Sequence, residues 1–196
     1  MMRRLASCAL LFALFVGGAG CASPRSYFYT LNSAAKPVTT VADYSVAVGP
    51  VSVPAAVDRQ QIVVRLAPNE VAIDEFHRWA SPLPDAIARV VAENLAAMLG
   101  TPHVTLFSQP TARGARYRVL VNVLRFESAP GEAATLDAVW TVRSTKDGTT
   151  RSGRTTVREP VPDRAYSTLA AAHSRALSRL SADLAGAIRE LAPAGG

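Results

Sequence analysis

The sequence predicts one layered domain of the α/β or α+β class, in which a mixed β-sheet packs against two main helices. Eight strand-like segments and two helix-like segments follow one another in the order β-β-β-β-α-β-β-β-β-α. The chain has 196 residues, and no internal repeat or low-complexity tract divides it. This length suits a single domain once a short leader is set aside.

Four strands open the predicted domain. They are rich in β-branched and aromatic residues, which favour strands, and span residues 26–31, 44–53, 61–66 and 71–74. Gly49-Pro50 interrupts the second strand and indicates a bulge or an edge position. Turn-forming residues at positions 67–70 predict that the third and fourth strands form a hairpin.

Two long segments have apolar residues at spacings of three and four, which is typical of amphipathic helices. The first helix is predicted to follow a proline-containing lead-in at 75–85 and to end near Leu99, where Gly100 and Pro102 stop it. The second is predicted over about 165–191. His173 lies on its apolar side, so we interpret this histidine as a core residue and not as a metal ligand.

Four further strands are predicted between the helices, at residues 103–107, 116–127, 134–144 and 149–159. Tyr117, Val119, Val121 and Val123 share one face of the second of these, and Leu120, Leu124 and Phe126 share the other. This pattern favours a central strand that is covered on both faces. Lys146-Asp147-Gly148 predicts a tight hairpin between the last two strands.

The N-terminus has the order of a bacterial lipoprotein signal. Arg3 and Arg4 precede an apolar run at 9–16, and small residues at 17–20 lead to Cys21. The apolar run is shorter than the roughly 20 residues that span a bilayer. We therefore predict a signal peptide over 1–20, lipid such as palmitate on Cys21, a tether over 21–25 and a folded domain over 26–192. The alternative is an ordinary signal peptide with an incidental cysteine.

No pattern for catalysis, metal binding or a cofactor stands out in the chain. Cys8 lies in the leader and Cys21 carries the predicted lipid, so no thiol remains for other chemistry. The histidines at 77, 103 and 173 lack metal-ligand spacing, and no phosphate-binding or hydrolase motif is present. We predict a non-enzyme with no cofactor and no nucleic-acid partner.

Arginines are concentrated in the third quarter of the chain. They occur in or beside the predicted strand at 116–127 and in the hairpin after it, namely Arg113, Arg116, Arg118, Arg125, Arg143, Arg151, Arg154 and Arg158. One interpretation is a surface for phosphate or carboxylate groups, which guanidinium binds well. The other is a solvated sheet edge that resists aggregation.

Four stretches together resemble the ABC-type transport auxiliary lipoproteins, the PqiC-like membrane-integrity family. The stretches lie in the first half of the mature chain, at 27–31, 48–63, 76–83 and 92–95, and include Val48-Gly49-Pro50-Val51 and Phe76-His77-Arg78-Trp79. The resemblance implies a small α/β domain that lipid anchors to the periplasmic face of the outer membrane. Ala22, which follows the cysteine in place of Asp, favours the same destination.

The resemblance further implies an accessory role in lipid transport, with an MCE-type periplasmic protein and inner-membrane transporter components as partners. We expect Asp58, Arg59, Arg78 and Trp79 to contact such a partner, since arginine and exposed aromatic residues often anchor interfaces. The alternative for Phe76 and Trp79 is an apolar plug beneath the first helix. Competing functions are a lipoprotein that binds peptidoglycan or a cell-wall synthase, and a hydrolase with an unrecognised site. Self-association is a further open possibility.

Overall fold

The structure, a computed structural model, describes residues 24–39 and 43–192. The predicted signal peptide and Cys21 lie outside these residues. The eight strands are β1 (Tyr27–Tyr29), β2 (Val46–Ser52), β3 (Gln61–Ala67), β4 (Glu70–Trp79), β5 (Val104–Leu106), β6 (Tyr117–Ala129), β7 (Ala133–Ser144) and β8 (Thr150–Pro160). The helices are α1 (Leu83–Leu99) and α2 (Tyr166–Leu191), with a short 3₁₀ helix at Pro110–Gly114.

The long strand β6 is the central strand of a mixed sheet. On one side it pairs with β7, which pairs with β8, and both pairings are antiparallel. On its other side, the first half of β6 pairs in parallel with β2, whose outer neighbour is β5. The end of β6 meets the β3–β4 hairpin through the parallel pair Val64 and Ser128, and β1 lies outside β4. The sheet therefore has three outer strands, β1, β5 and β8, among the described residues.

Both helices cover the same face of this sheet. Helix α1 packs on β2 and β5, and α2 packs on β7 and β8 and against α1. Their apolar sides are buried, with Ile87, Leu95, Leu177 and Leu184 all fully inaccessible. Helix α1 ends where Gly100 adopts the left-handed conformation (φ 65°), which a residue without a side chain enters at little cost. The mixed α/β class and the sheet packed by two helices are confirmed.

A buried asparagine joins both helices to the segment that follows β1. The amide oxygen of Asn94 accepts hydrogen bonds from the hydroxyl of Ser33 (2.8 Å) and from the backbone N–H groups of Ala34 and Ala35. Its amide nitrogen donates to Ser181 Oγ in α2 (3.2 Å). These bonds satisfy a polar group that would be costly to bury alone, and they hold the chain beyond β1 against the helix layer.

The local signals in the sequence identify most turns correctly. The β3–β4 and β7–β8 hairpins form where turn residues predicted them. The pairing of β2 with β6 shifts register between Val48 and Val51, so the Gly49-Pro50 step is a bulge. Strand β2 has a neighbour on each side and is not an edge strand.

Strand β4 is longer than predicted. The sequence pattern placed its end at Asp74 and treated the next residues as a lead-in to α1, but the strand continues to Trp79. A bulge lies between Asp74, which pairs with Ile62, and Arg78, which pairs with Gln61. The irregular backbone breaks the alternation on which the prediction depended.

The prediction that β6 is covered on both faces is wrong. Leu120 is 43% exposed and Leu124 is 41% exposed, and no element among the described residues lies over them. A bulge in β6 itself, between Val123 and Arg125, reverses the alternation, so Phe126 joins Val123 on the helix side and is 3% exposed. The sheet therefore has one covered face and one open face.

Candidate binding site

Three of the four predicted contact residues lie near one another at the start of β3. Asp58 and Arg59 are exposed in the turn before this strand, where the N–H of Asp58 donates to the carbonyl of Pro54 (3.1 Å). Arg78 lies across the strand pair from Gln61, and its guanidinium Nε donates to the carbonyl of Glu75 (2.8 Å). The turn and the end of β4 thus present these charged groups on one part of the surface.

Trp79 does not belong to this surface, and its prediction as a partner contact is wrong. It is only 4% exposed. Its ring packs edge-on against Phe126 of β6 and His173 of α2, with centroid distances of 6.1 and 6.3 Å. Trp79 is therefore a plug beneath the second helix, whereas Phe76 is 41% exposed and plugs no part of the core.

A groove of about 480 Å³ opens on the uncovered face of the sheet beside this turn. Its apolar lining comes from the turn and from strands β3, β4 and β6, and includes Val57, Val63, Val71, Ile73 and Leu124. Arg59, Arg65 and Arg125 add cationic groups to the same lining. Both helices cover the opposite face of the sheet, so this side remains open. A concave apolar lining with a few charged groups is typical of a binding site.

The three groove arginines differ in how far their charge is neutralised. The Arg65 guanidinium lies 3.3 Å from a Glu132 carboxylate oxygen, and that of Arg125 lies 3.4 Å from Asp137. Within the described ranges, Arg59 forms no ion pair. Its charge is therefore the one most available to an acidic partner.

The arginine-rich hairpin is organised around one buried carboxylate. Asp137 accepts two bonds from Arg154, at 2.8 and 2.7 Å, and a third from the Thr156 hydroxyl (3.1 Å). The hydrogen bonds from Arg154 are the largest reason why the pKa of Asp137 falls to about 2, against the opposing effect of burial.

Other arginines of this region pair at the surface: Arg158 with Glu132 (3.8 Å) and Arg151 with Glu190 (3.4 Å). Strand β8, which supplies Arg151, Arg154 and Arg158, is an outer strand. Arginines already engaged by carboxylates on an outer strand fit the solvated-edge interpretation better than an anion-binding surface.

An aromatic and carboxylate cluster that the sequence analysis missed lies at the β1 side. The Tyr166 hydroxyl donates to Asp74 Oδ2 (2.7 Å), and the His77 ring stacks on Tyr166 with a centroid distance of 4.0 Å. On its other side His77 stacks on Tyr27 at 5.2 Å. Asp74 and Tyr166 are 92 residues apart in sequence, so no local spacing could reveal this contact.

Asp74 also stabilises the β4 bulge by accepting hydrogen bonds from its backbone. Its Oδ1 accepts the backbone N–H groups of Phe76 (2.9 Å) and His77 (3.0 Å). Burial by itself would raise the pKa of Asp74, but the bonds from Tyr166, His77 and the backbone lower it to about 2. Burial and the bond to Asp74 raise the pKa of Tyr166, so its proton is held firmly at neutral pH.

The described residues include no cysteine. Among them, no three His, Cys, Asp or Glu side chains are grouped as metal ligands would be. In the same ranges, no helix is long and apolar enough to cross a bilayer. The Asp74 cluster is thus a clamp that joins β1, β4 and the start of α2, and the groove is the better candidate for binding.

Comparison with known proteins gives one family and a set of similar folds. The family model described as "ABC-type transport auxiliary lipoprotein component" matches residues 29–185. A crystal structure titled as an uncharacterized protein is 19% identical, with a TM-score of 0.69, and the match covers 86% of this chain and all of the other. A Xanthomonas campestris protein of family DUF330 is 22% identical, also with a TM-score of 0.69, over 85% of this chain and 97% of the other. No curated protein sequence matches the chain.

Proposed function

Because the chain belongs to the family of ABC-type transport auxiliary lipoprotein components, we propose that it is an accessory lipoprotein of an MCE-type lipid-transport system. Lipid on Cys21 holds it to the periplasmic face of the outer membrane. There it binds an MCE-type periplasmic protein that works with the inner-membrane transporter. It acts by binding and catalyses no reaction.

The observation that carries this proposal is the extent of the family match. Residues 29–185 run from the last residue of β1 into the last turns of α2, which is nearly the whole described domain. Members of this family are auxiliary components of transport systems, and the match covers nearly the whole domain, so we assign the accessory role to the domain as a whole. The groove on the open face offers a binding surface.

We propose that the groove receives an apolar segment of the MCE-type partner that carries carboxylates. Val63, Val71 and Leu124 offer apolar contacts, and Arg59 offers a charge that no described carboxylate neutralises. Arginine at the border of an apolar patch is often among the residues that dominate binding energy. Asp58, which precedes Arg59 in the turn, and Arg78, which pairs with Gln61, add specificity by excluding partners of the wrong charge.

The test is recovery of the MCE-type partner with the tagged lipoprotein from detergent-solubilised envelope. We expect Arg59→Glu to lower recovery about tenfold, the equivalent of about 1.4 kcal/mol of binding free energy. A smaller loss is expected for Arg78→Glu, whereas Asp58→Ala removes a charge of the same sign as the partner's carboxylates and should not lower recovery. Arg113→Glu is the matched control, because it makes the same charge change at an exposed site beside β5. If Arg59→Glu and Arg78→Glu both recover as much partner as Arg113→Glu, the groove is not the partner site.

The anchor has a separate test. Wild-type protein should incorporate labelled palmitate, and Cys21→Ser should not. Equal labelling of both would contradict lipidation at Cys21, whatever the outcome at the groove.

A further inference from the structure

Exposed apolar side chains are concentrated at one side of the molecule. Among the described residues, ten large hydrophobic side chains are exposed, and six of them lie on β1, β3 or β4: Tyr27, Phe28, Leu66, Val71, Ile73 and Phe76. Val71 and Ile73 line the groove. The three aromatic residues lie elsewhere, on the outer strand β1 and at the β4 bulge beside it, and are 50%, 62% and 41% exposed.

The aromatic side chains are close to the predicted lipid attachment point. Five residues separate Cys21 from Tyr27, so the connecting chain spans at most about 20 Å. Tyr27 pairs in parallel with His77. The chain that leads to Cys21 therefore enters beside the β4 bulge, within reach of Phe76.

We propose that Tyr27, Phe28 and Phe76 form a membrane-contact edge that rests on the bilayer in which the lipid of Cys21 is anchored. This inference depends on the proposed anchoring at Cys21. Aromatic side chains favour the interface between lipid headgroups and acyl chains, where the ring is partly dehydrated. Arg25, which is exposed, brings a guanidinium group to the same edge for lipid phosphates.

The edge is rigid, which distinguishes it from a loose tether. Tyr27 stacks on His77, and His77 stacks in turn on Tyr166 at the start of α2. Beyond β1, Arg89 of α1 donates to the carbonyl of Leu31 (2.7 Å). Contact along this edge therefore orients the whole domain, so that β1 is nearest the bilayer and β5, at the other end of the strand order, is far from it.

Tryptophan fluorescence in vesicles with brominated acyl chains tests the orientation. The lipidated mature protein is reconstituted in phosphatidylethanolamine and phosphatidylglycerol, with Phe28→Trp as the reporter and Phe107→Trp as its matched control. Phe107 is also an exposed phenylalanine (51%), but it follows β5. Five strand spacings separate β1 from β5 in the sheet, on the order of 24 Å.

We expect brominated lipid to lower the emission of the Phe28→Trp reporter at least twofold, after subtraction of the wild-type signal, and to leave the Phe107→Trp reporter unchanged. Phe76→Trp is a second reporter at the same edge and should follow Phe28→Trp. Equal quenching at positions 28 and 107 in protein that floats with the vesicles would overturn the membrane-contact edge and leave the anchor intact. Protein that fails to float would overturn both.

Discussion

Replacement of Asp74 by asparagine is the sharpest test of how the β1 side is held together. The carboxylate accepts three hydrogen bonds, from two backbone N–H groups in the bulge and from the Tyr166 hydroxyl, and the His77 ring nitrogen Nδ1 lies 3.0 Å from Oδ1. Asparagine has nearly the same shape and can keep some of these hydrogen bonds. It removes the negative charge, and its NH₂ group cannot accept a bond from Tyr166.

The size of the effect follows from the pKa of Asp74, which falls from 3.8 to about 2. A difference of one in pKa between the folded and unfolded states corresponds to about 1.4 kcal/mol, so ionised Asp74 stabilises the fold by about 2 kcal/mol. The side chain is 26% exposed, which limits screening by solvent. Because the pKa in the folded state lies below that in the unfolded state, the stabilisation is complete near neutral pH. It is lost as the pH falls from about 4 through 2.

Urea unfolding of wild type and Asp74→Asn at pH 7 and pH 3 measures this contribution. We expect a difference in unfolding free energy of about 2 kcal/mol at pH 7 and about half of that at pH 3. Glu75→Gln is the control, since its side chain is 61% exposed and lies 3.8 Å from Arg78. An exposed pair of this kind contributes about 0–1 kcal/mol. Asp74 does not stabilise the fold as a charged group if Asp74→Asn lowers the unfolding free energy no more than Glu75→Gln does. The same conclusion follows if the loss for Asp74→Asn is equal at pH 7 and pH 3.

Three further predictions concern the core. Trp79→Ala should lower the free energy of unfolding in urea by about 3–5 kcal/mol. A loss below about 1 kcal/mol would contradict the role of Trp79 as a core residue between β6 and α2. Burial lowers the pKa of His173 to about 3. Because this histidine takes up a proton more readily in the unfolded chain, the free energy of unfolding of wild type should fall by about 1.4 kcal/mol per pH unit below about 6.5. His173→Phe should flatten this slope between pH 6.5 and 4.5, and an unchanged slope would show that His173 is not its source. Gly153→Ala places a methyl group against the Trp140 indole. Overpacking of this kind costs about 1–3 kcal/mol of stability, so the midpoint of thermal unfolding should fall by several degrees. An unchanged midpoint would contradict this close packing.

The sequence alone determined the elements of this protein and their order. Helix periodicity, the stop at Gly100 and the turn at Asp147-Gly148 depend on interactions between residues a few positions apart, which a linear pattern records. The resemblance to the transport auxiliary lipoproteins also came from short local stretches, and the family match covers them. His173 was correctly interpreted as a core residue from its place on an apolar helix side.

Tertiary structure alone decided which of these surfaces are available. Two bulges, near Asp74 and Leu124, shift the alternation of β4 and β6, and Trp79 and Phe126, which follow them, are buried. Both helices pack on one face of the sheet, and this leaves the other face open. The bond between Asp74 and Tyr166, and the neutralisation of every groove arginine but Arg59, join groups that are distant in the chain. Such pairings depend on strand register and on which face the helices cover, so they form only when the whole sheet is assembled.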